Sequence, residues 1–442
     1  MIGKIKEFTE DFLREIKDKK IHIISHYDTD GIISAAIIAK TLGKINQQFS
    51  IKILKQLDKK EIDLFPENKI ILLLDLGSSS FEYLSQLKNK IFMIDHHEIS
   101  DKSKISENIR IVNPHLLANY EELCASELCY LVSKQISEEN KNFAYLSLIG
   151  MIGDTMERNI NKTRDSIIKD SDITIKKGFL IYPSTRPLDK SIEFSSSPFI
   201  PGATGDHLGA LDLLKEAGIE RVGKNYKSLI DLTEKEMEAL TTAISLRLSN
   251  SSHYIGNLYV IKFFNRMEDA RELSAIINAC SRMDHSNIAL MMCMGNSEAR
   301  KKADRMYIKY RQHIISGLKY IDKNSKILGS QYVIINAKDK VKDTIIGTLA
   351  SILSFSSVYK EGTIIVAMAY NQDKIKVSTR MTGKNPQNSR NLKELMDSIT
   401  GVIGGESGGH HYAAGCTIDK KHEEEFIDLI KKKLDLELVR IN

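Results

Sequence analysis

Four short segments of acidic residues and histidines stand directly after apolar runs, and they carry the residue types best suited to chemistry. Each apolar run is typical of a buried strand or helix that stops where the charged residues begin. The segments are His26-Tyr27-Asp28-Thr29-Asp30-Gly31, Asp75 in LLLDLG, Asp95-His96-His97 in FMIDHH, and Asp154 in LIGMIGDT. Carboxylates mixed with imidazoles suit Mn²⁺ or Mg²⁺ better than a structural zinc. Two such ions about 3.5–4 Å apart are a common device for cleaving phosphoesters, so the segments predict a metal-dependent phosphoesterase.

Each segment also has a purely structural interpretation. Asp28 and Asp75 could each cap a helix N-terminus in a solvated turn. In favour of a metal site, one carboxylate such as Asp75 can bridge two ions. The adjacent His96 and His97 point in different directions, so that one can bind a metal while the other faces a phosphate, and Asp95 can hold an imidazole in the required tautomer. Four such segments in one part of the chain favour a shared metal site over four unrelated turns.

Alternating strand and helix patterns in the first 155 residues would position these side chains. The β-rich runs cover residues 21–25, 51–54, 70–75, 91–95 and 109–113, and the helical patterns cover 31–42, 78–89 and 142–154. This alternation predicts an α/β fold whose N-terminal sheet is mostly parallel, with helices on both faces. Ligands of such sheets bind at the carboxyl ends of the strands, where the first three acidic segments fall.

The chain is expected to form two α/β domains joined by a connecting helix. The predicted parts are a catalytic metal-binding domain over 1–195, a linker loop and connecting helix over 196–252, and a smaller substrate-binding domain over 253–442. Strands of the last part are predicted at 257–264, 288–295, 331–337, 363–370 and 374–380, and helices at 269–283, 297–323 and 342–355. The segment Gly401–Gly415 predicts a glycine-rich loop, whose exposed N–H groups would suit an anion, followed by a strand and a helix.

Composition limits the other possibilities. The net charge of +5 is compatible with nucleic acid but does not indicate it. Five scattered cysteines without a CxxC pair argue against a zinc ribbon or a disulfide framework, and favour small buried side chains. The sequence has no run of eighteen apolar residues, and its first twenty residues predict an amphipathic helix instead of a signal peptide. A cytoplasmic protein that does not contact a membrane is expected.

The order HxDxDG, D, DHH and GxxGD resembles the DHH phosphoesterase superfamily, over residues from about 20 to 435. Residues 404–415 resemble the GGxHxxAAG element of the DHH-associated domain. Residues 278–282, NACSR, resemble the NACGR segment of RecJ-like exonucleases, with Ser281 in place of the usual glycine. The PFIPGATG stretch at 198–205 is similar to the archaeal RecJ-like branch.

The resemblance implies a role for each matching residue. His26 and Asp28 would hold a first Mn²⁺ or Mg²⁺ ion, Asp30, His96 and Asp154 would hold a second, and Asp75 would bridge them. His97 would contact the scissile phosphate, with Asp95 orienting an imidazole. The nucleotide end would be held by Arg282, Arg380, His410 and the backbone N–H groups of Gly408 and Gly409.

Three functional hypotheses follow. The first is a RecJ-like exonuclease that releases mononucleotides from one end of single-stranded DNA or RNA, in the cleft between the two domains. The second is a phosphodiesterase for short oligonucleotides or cyclic dinucleotides, which fits the lack of an OB-type domain like that of bacterial RecJ. The third is a replication-complex subunit that mainly binds a partner such as a GINS-like protein; some relatives in eukaryotic replication machinery have lost metal ligands and act as scaffolds. No ligand of the pattern is missing here, which favours an enzyme.

With 7% aromatic residues and no tryptophan, backbone-directed binding of nucleic acid with weak sequence preference is expected.

Overall fold

The computed structural model describes residues 1–99, 101–195, 198, 200–248, 251–356, 358–383 and 390–436. The chain forms two compact units, residues 1–307 and 308–442. The domain boundaries given above stay a prediction, and Phe199 of the PFIPGATG stretch lies outside the described residues. Within the described part of the chain, every helix is too short or too polar to cross a membrane.

A five-stranded parallel sheet organises the first 112 residues. Its elements are α1 (Ile2–Ile16), β1 (Ile21–His26), α2 (Thr29–Lys44), β2 (Phe49–Leu54), α3 (Lys59–Ile62), β3 (Ile70–Leu74), α4 (Phe81–Leu84), β4 (Ile91–Ile94) and β5 (Ile109–Val112). The strand order is β2-β1-β3-β4-β5, and every neighbouring pair is parallel. All residues of β3 and β4 are buried, as expected for apolar strands covered on both faces. The predicted parallel sheet is confirmed.

The helix predicted over 78–89 is much shorter than its pattern suggested, because α4 covers only Phe81–Leu84. The Ser85 hydroxyl and the Gln86 side-chain amide both donate to the carbonyl of Glu82. Such local side-chain bonds compete with the helical ladder and favour turns. The segment between β3 and β4 is therefore a turn-rich connection with one short helix.

Helices and a small antiparallel sheet complete the first unit. The elements are α5 (Ala125–Ile136), α6 (Ala144–Gly153), α7 (Lys162–Asp170), β6 (Ile173–Phe179), α8 (Leu188–Glu193), α9 (His207–Glu216), β7 (Arg221–Val222), β8 (Asn225–Tyr226), α10 (Glu234–Ser245), β9 (Ile255–Phe263), β10 (Arg266–Asp269), α11 (Ala270–Arg282), α12 (Ser286–Cys293) and α13 (Ser297–Lys323), the last crossing the unit boundary. Strands β10, β9 and β6 pair in that order. Helices α2, α5 and α6 pack against one another, and α11 packs on α6.

The strand predicted over 288–295 is wrong, since residues Ser286–Cys293 form helix α12. The run IALMMCMG is almost wholly apolar, and periodicity does not distinguish a buried strand from a buried helix in so short a run. Ala289, Met292 and Cys293 are buried, and α12 packs against α2 and α11. Tertiary packing therefore decided the conformation.

The second unit is a six-stranded mixed sheet with helices. Its elements are β11 (Ile327–Leu328), β12 (Tyr332–Asn336), α14 (Asp343–Phe355), β13 (Ile364–Asn371), β14 (Lys374–Met381), α15 (Leu392–Ile403), β15 (Glu406–His410), β16 (Ala413–Asp419) and α16 (Glu423–Leu436). The strand order is β11-β12-β13-β14-β16-β15. An α/β second half, as predicted, is confirmed.

The glycine-rich segment is not the predicted loop, because most of it forms the hairpin of β15 and β16. Gly408 pairs with Gly415, and Gly409 pairs with Ala414. A Cβ atom on Gly409 would lie 2.4 Å from the Ala413 carbonyl oxygen, so only glycine permits this close approach. Glycine has low strand propensity, and the pairing with β16 overrides it. As an edge strand, β15 still leaves part of its backbone N–H groups outside the ladder.

An aromatic cluster joins α1 to the parallel sheet and gives a test of the fold. The Phe92 ring lies 5.4 Å from Phe8 and 5.0 Å from Phe12, edge to face in both pairs. Phe12→Ala should lower the free energy of unfolding of the first unit by about 3–5 kcal/mol, because it opens a cavity in this cluster. Leu64, which is 72% exposed, supplies the control, since Leu64→Ala should change stability by less than about 0.5 kcal/mol. Differential scanning calorimetry of the two variants against wild type measures both effects.

Candidate metal centre at the strand ends

The first part of the centre lies where β1 and β3, which are neighbours in the sheet, end side by side. His26 is the last residue of β1, and its Nδ1 lies 3.0 Å from Asp28 Oδ2 and 3.3 Å from Asp75 Oδ2. Asp28 caps α2, since its Oδ1 accepts the Gly31 N–H. The cap and the cluster therefore use different oxygens of one carboxylate. The capping role of Asp28 is confirmed, and its role as a metal ligand stays a prediction.

Asp75 lies at the middle of the site. Its side chain is buried, and its backbone has a φ of +59°, in the left-handed region that few non-glycine residues adopt. Its Oδ2 faces His26, while its Oδ1 lies 3.3 Å from His96 Nε2. Oδ1 is also buried without a hydrogen-bond donor among the described residues. A buried acceptor of this kind fits a cation, because a carboxylate oxygen out of water is costly unless it is compensated.

Asp95 is fully enclosed by donors at the end of β4. Its Oδ1 accepts the backbone N–H groups of His96 and His97 and the Nδ1–H of His97 at 2.7 Å, and its Oδ2 accepts the hydroxyl of Ser78 at 2.6 Å. Asn113 donates to the His97 carbonyl from the end of β5. Neither Ser78 nor Asn113 stands in a sequence pattern that indicates this role. Together these bonds fix the orientation of His97 and leave its Nε2 for another molecule.

The third group joins residues at the ends of three helices: Asp30 in the first turn of α2, Cys124 just before α5 and Asp154 just after α6. Asp30, Cys124 and Asp154 offer atoms within 4.8 Å of one another, and His96 Nε2 links them to the rest at 3.2 Å from Asp154 Oδ2. Cys124 was predicted only to be a small buried residue, and no CxxC spacing distinguishes it in the sequence. The structure therefore brings all six predicted metal ligands into one connected cluster and adds a thiol beside it.

The N-terminus of α5 holds Asp30 in place. Asp30 Oδ2 accepts the Ala125 N–H at 2.7 Å, and Oδ1 accepts the Ser126 N–H at 3.0 Å. Free N–H groups and the positive end of the helix dipole both stabilise a carboxylate at this position. Each oxygen keeps a second lone pair, so these bonds leave Asp30 able to bind a cation.

Two glycines of the GxxGD motif allow α6 to approach this cluster. A Cβ on Gly150 would lie 2.1 Å from Ser126 Oγ and 2.9 Å from Asp30 Oδ1. A Cβ on Gly153 would lie 2.7 Å from Thr29 Cβ. The motif therefore combines a predicted ligand, Asp154, with the absence of side chains that would push the cluster apart.

The electrostatics of the cluster reflect crowded carboxylates. Burial raises the pKa of Asp75 well above its ordinary value, and the charges of Asp28 and Asp30 add to the shift. Burial and the charge of Asp30 raise the pKa of Asp154 to about 9. Burial lowers the pKa of His26, but hydrogen bonds to Asp28 and Asp75 outweigh it and raise that pKa to about 11. The carboxylates cannot all be charged unless positive charge lies among them.

A buried ion pair in the protein interior supports the N-terminus of α5. The Arg164 guanidinium donates to both oxygens of Glu127, at 2.7 and 2.8 Å, and both side chains are 1% exposed. The same Glu127 accepts the Cys124 N–H at 2.9 Å. Arg164 thus anchors the turn whose N–H groups hold Asp30.

The predicted nucleotide-binding residues fall in both units. Arg282, in the first unit, donates to the Tyr27 hydroxyl at 2.9 Å. In the second unit, Arg380 and His410 both pair with Ala413 across the sheet, so the two side chains share one face. Arg380 donates to the Ser351 hydroxyl at 2.9 Å. Gly408 and Gly409 lie in β15 next to His410. All these roles stay predictions.

Three family models match the chain. They are the DHH family N-terminal domain over residues 20–151, the DHH-CID domain over 181–253 and the DHHA1 domain over 329–435. The chain belongs to the DHH phosphoesterase superfamily. An uncharacterised protein of Methanocaldococcus jannaschii is 26% identical over the full length of both chains.

Solved structures of other proteins share the DHH fold. RecJ of Thermus thermophilus in complex with Mn²⁺ aligns with a TM-score of 0.60 and 15% identity, over 97% of this chain and 54% of that RecJ, so the chain spans about half of its length. CDC45 from Entamoeba histolytica aligns with a TM-score of 0.69 and 11% identity, over 97% of this chain and 98% of that protein. At these identities the alignments show a shared fold.

Gly150→Ala tests the packing around the candidate metal centre. The added methyl group must displace Ser126 or Asp30, so Mn²⁺ binding should weaken by about 10- to 100-fold, the usual cost of disturbing residues that orient ligands. Gly43→Ala is the matched control, because its Cβ would meet nothing within 4 Å near the end of α2. Isothermal titration calorimetry with Mn²⁺ compares the two. Equal affinities in both variants would contradict the close packing described above.

Arg164→Met tests the buried pair. It leaves Glu127 charged and unpaired, so the first unit should lose about 3–5 kcal/mol of stability. The double variant Glu127→Leu/Arg164→Met should be more stable than the single variant, because no charge is left stranded. Calorimetric unfolding of both variants gives the comparison, and a double variant less stable than Arg164→Met would contradict it.

Proposed function

We propose that the chain is a two-metal phosphodiesterase of the RecJ-like kind, which hydrolyses single-stranded nucleic acid from one end and releases mononucleotides. The observation that carries this proposal is Asp75, whose two oxygens face two different imidazoles and of which one has no donor among the described residues. One carboxylate shared in this way is suited to bridging two cations. The likeness to a RecJ bound to Mn²⁺ supports the same choice of ions.

The residues present fit such ions. His26 and Asp28 would hold one ion, Asp30, His96 and Asp154 would hold the other, and Asp75 would contact both. When bound, two divalent ions supply Lewis acidity to the phosphate and lower the pKa of a water molecule. The oxygen and imidazole donors suit Mn²⁺ first and Mg²⁺ second.

The residues of the chain supply orientation and a proton-bearing group. His97 is half exposed, and its hydrogen bond to Asp95 raises its pKa, so the imidazolium form persists to a higher pH. A positive imidazole with its Nδ1–H held by Asp95 would present Nε2–H to a phosphate oxygen. His97 would therefore stabilise negative charge that develops on the phosphate.

Two alternative functions are compatible with the fold. A phosphodiesterase for short oligonucleotides or cyclic dinucleotides would use the same centre. The fold shared with CDC45 favours the third hypothesis, a replication-complex subunit with a GINS-like partner. The complete set of ligand residues favours the enzyme over a binding role alone.

Asp75→Ala tests the centre. Turnover of a labelled oligonucleotide with Mn²⁺ should fall to background, because both ions lose a ligand. The fold should persist, since the substitution removes a carboxylate whose charge is disfavoured by burial and by the charges of Asp28 and Asp30. Asp63→Ala, at an exposed position in the same unit, is the control and should keep full activity. Substantial turnover by a folded Asp75→Ala protein would sink the proposal.

Substrate length separates the hypotheses. Single-stranded DNA and RNA of graded length, labelled at the 5′ or the 3′ end, should be shortened stepwise to mononucleotides, and the label that is released first gives the polarity. Cleavage confined to two- to five-mers would favour the short-substrate phosphodiesterase. Recovery of replication proteins by the inactive Asp75→Ala chain, with no turnover by wild type, would favour the binding role.

Metal binding should depend on pH. The raised pKa values of Asp154, about 9, and of His26, about 11, mean that both groups hold protons near neutrality and must release them to bind a metal. The Mn²⁺ affinity should therefore rise from pH 6 to pH 8, by about tenfold per pH unit for each proton displaced. Titration calorimetry in buffers of different ionisation enthalpy counts the protons. An affinity that is constant over this range would contradict the shifts.

A further inference from the structure

A pocket of about 420 Å³ opens beside the metal centre, within the first unit. Asp28 and Gly153 are part of its wall, so it adjoins one proposed ligand directly and lies next to another, Asp154. The rest of the wall comes from the turn after α6, from α11 and from the segments around β6 and β9. Its volume is within the range of small-molecule sites, about 300–1,000 Å³. A group bound here would lie within one nucleotide of the metals.

The three arginine side chains in the wall of this pocket differ in how firmly hydrogen bonds and ion pairs fix them. Arg271 is fixed by the Asn257 carbonyl and by Glu157 at 3.3 Å. Arg282 is held against Tyr27, with its guanidinium 5.5 Å from the ring centre. Arg158 is exposed and makes no ion pair among the described residues. Of the three, Arg158 is therefore the cation best placed to meet a phosphate that enters the pocket.

The remaining wall offers flat and hydrogen-bonding surfaces. Tyr182 and Tyr254 are half-buried on the side of β6 and β9, and the Tyr254 ring is stacked on Phe179, which fixes its orientation. Asn278, on α11, is half-buried, and its amide has no hydrogen-bond partner within the described ranges. An amide can donate to and accept from the edge of a base, and an aromatic ring can stack on its face.

We propose that this arginine–tyrosine pocket, formed by Arg158, Arg271, Arg282, Tyr182, Tyr254 and Asn278, binds one nucleotide unit of the substrate. The base would lie against the tyrosines with Asn278 at its edge, and a phosphate would meet Arg158. The inference rests on the proposed function and names the site that the nucleotide next to the cleaved bond occupies. Because stacking accepts any base, purine and pyrimidine nucleotides should both bind.

Binding of the product class tests the pocket in the full chain. The probes are AMP, CMP and ribose 5-phosphate, titrated by calorimetry with and without Mn²⁺. AMP and CMP should bind at least about tenfold more tightly than ribose 5-phosphate, which lacks a base. Arg158→Ala/Tyr182→Leu should weaken AMP binding by at least about tenfold, whereas Tyr182→Phe should keep it, because the ring remains. Arg221→Ala, on the β7–β8 hairpin of the same unit, is the matched arginine control and should bind AMP as wild type does.

Several outcomes would overturn the pocket. One is equal affinity for AMP and ribose 5-phosphate, and another is an unchanged AMP affinity in a folded Arg158→Ala/Tyr182→Leu chain. A third is loss of AMP binding in the His410→Ala variant but in none of the pocket variants. Thermal unfolding confirms that each variant is folded, and loss of binding by Tyr182→Phe would remove the stacking role. Asp75→Ala keeps the two proposals apart. An active Asp75→Ala chain would refute the metal mechanism. The nucleotide titrations would still test the pocket, because they measure binding and not turnover.

Discussion

The repulsion among buried carboxylates at the strand ends is the constraint on which the site depends. Asp28, Asp30, Asp75 and Asp154 lie close together; Asp30 and Asp75 are buried, and the other two are half-buried. Burial and the neighbouring negative charges together raise the pKa values of Asp75 and Asp154. Such a cluster would disperse if its members could move to solvent. Strand termini, helix caps and glycine contacts prevent that, so the fold supplies the energy that keeps the cluster assembled.

The helices contribute most of this support. The α5 N-terminus neutralises part of the charge on Asp30, and the Glu127–Arg164 pair anchors that N-terminus from the protein interior. Gly150 lets α6 approach from the other side. Residues behind the predicted ligands are thus held in positions as well defined as those of the predicted ligands themselves.

The sequence predicted which acidic and histidine side chains come together, but not the residues that support them, for a physical reason. Acidic residues after apolar strands are recognisable by charge and position, and parallel pairing brings their ends together. Cys124, Ser78 and Asn113 carry no such signal, because a thiol, a hydroxyl or an amide is equally common in plain turns, and only the three-dimensional contacts distinguish them. The same limit explains α12 and the β15–β16 hairpin, where neighbours in space overruled local preference.

The backbone at Asp75 has a consequence for how this position can vary during evolution. A left-handed φ is tolerated by glycine, asparagine and aspartate, and is costly for most other residues. Among those three, aspartate alone carries a negative charge. Glutamate keeps the charge but fits neither the backbone nor the short reach to two imidazoles. Both the backbone conformation and the required charge therefore limit which substitutions are tolerated at this position. A single substitution at a neighbouring position would not satisfy both requirements.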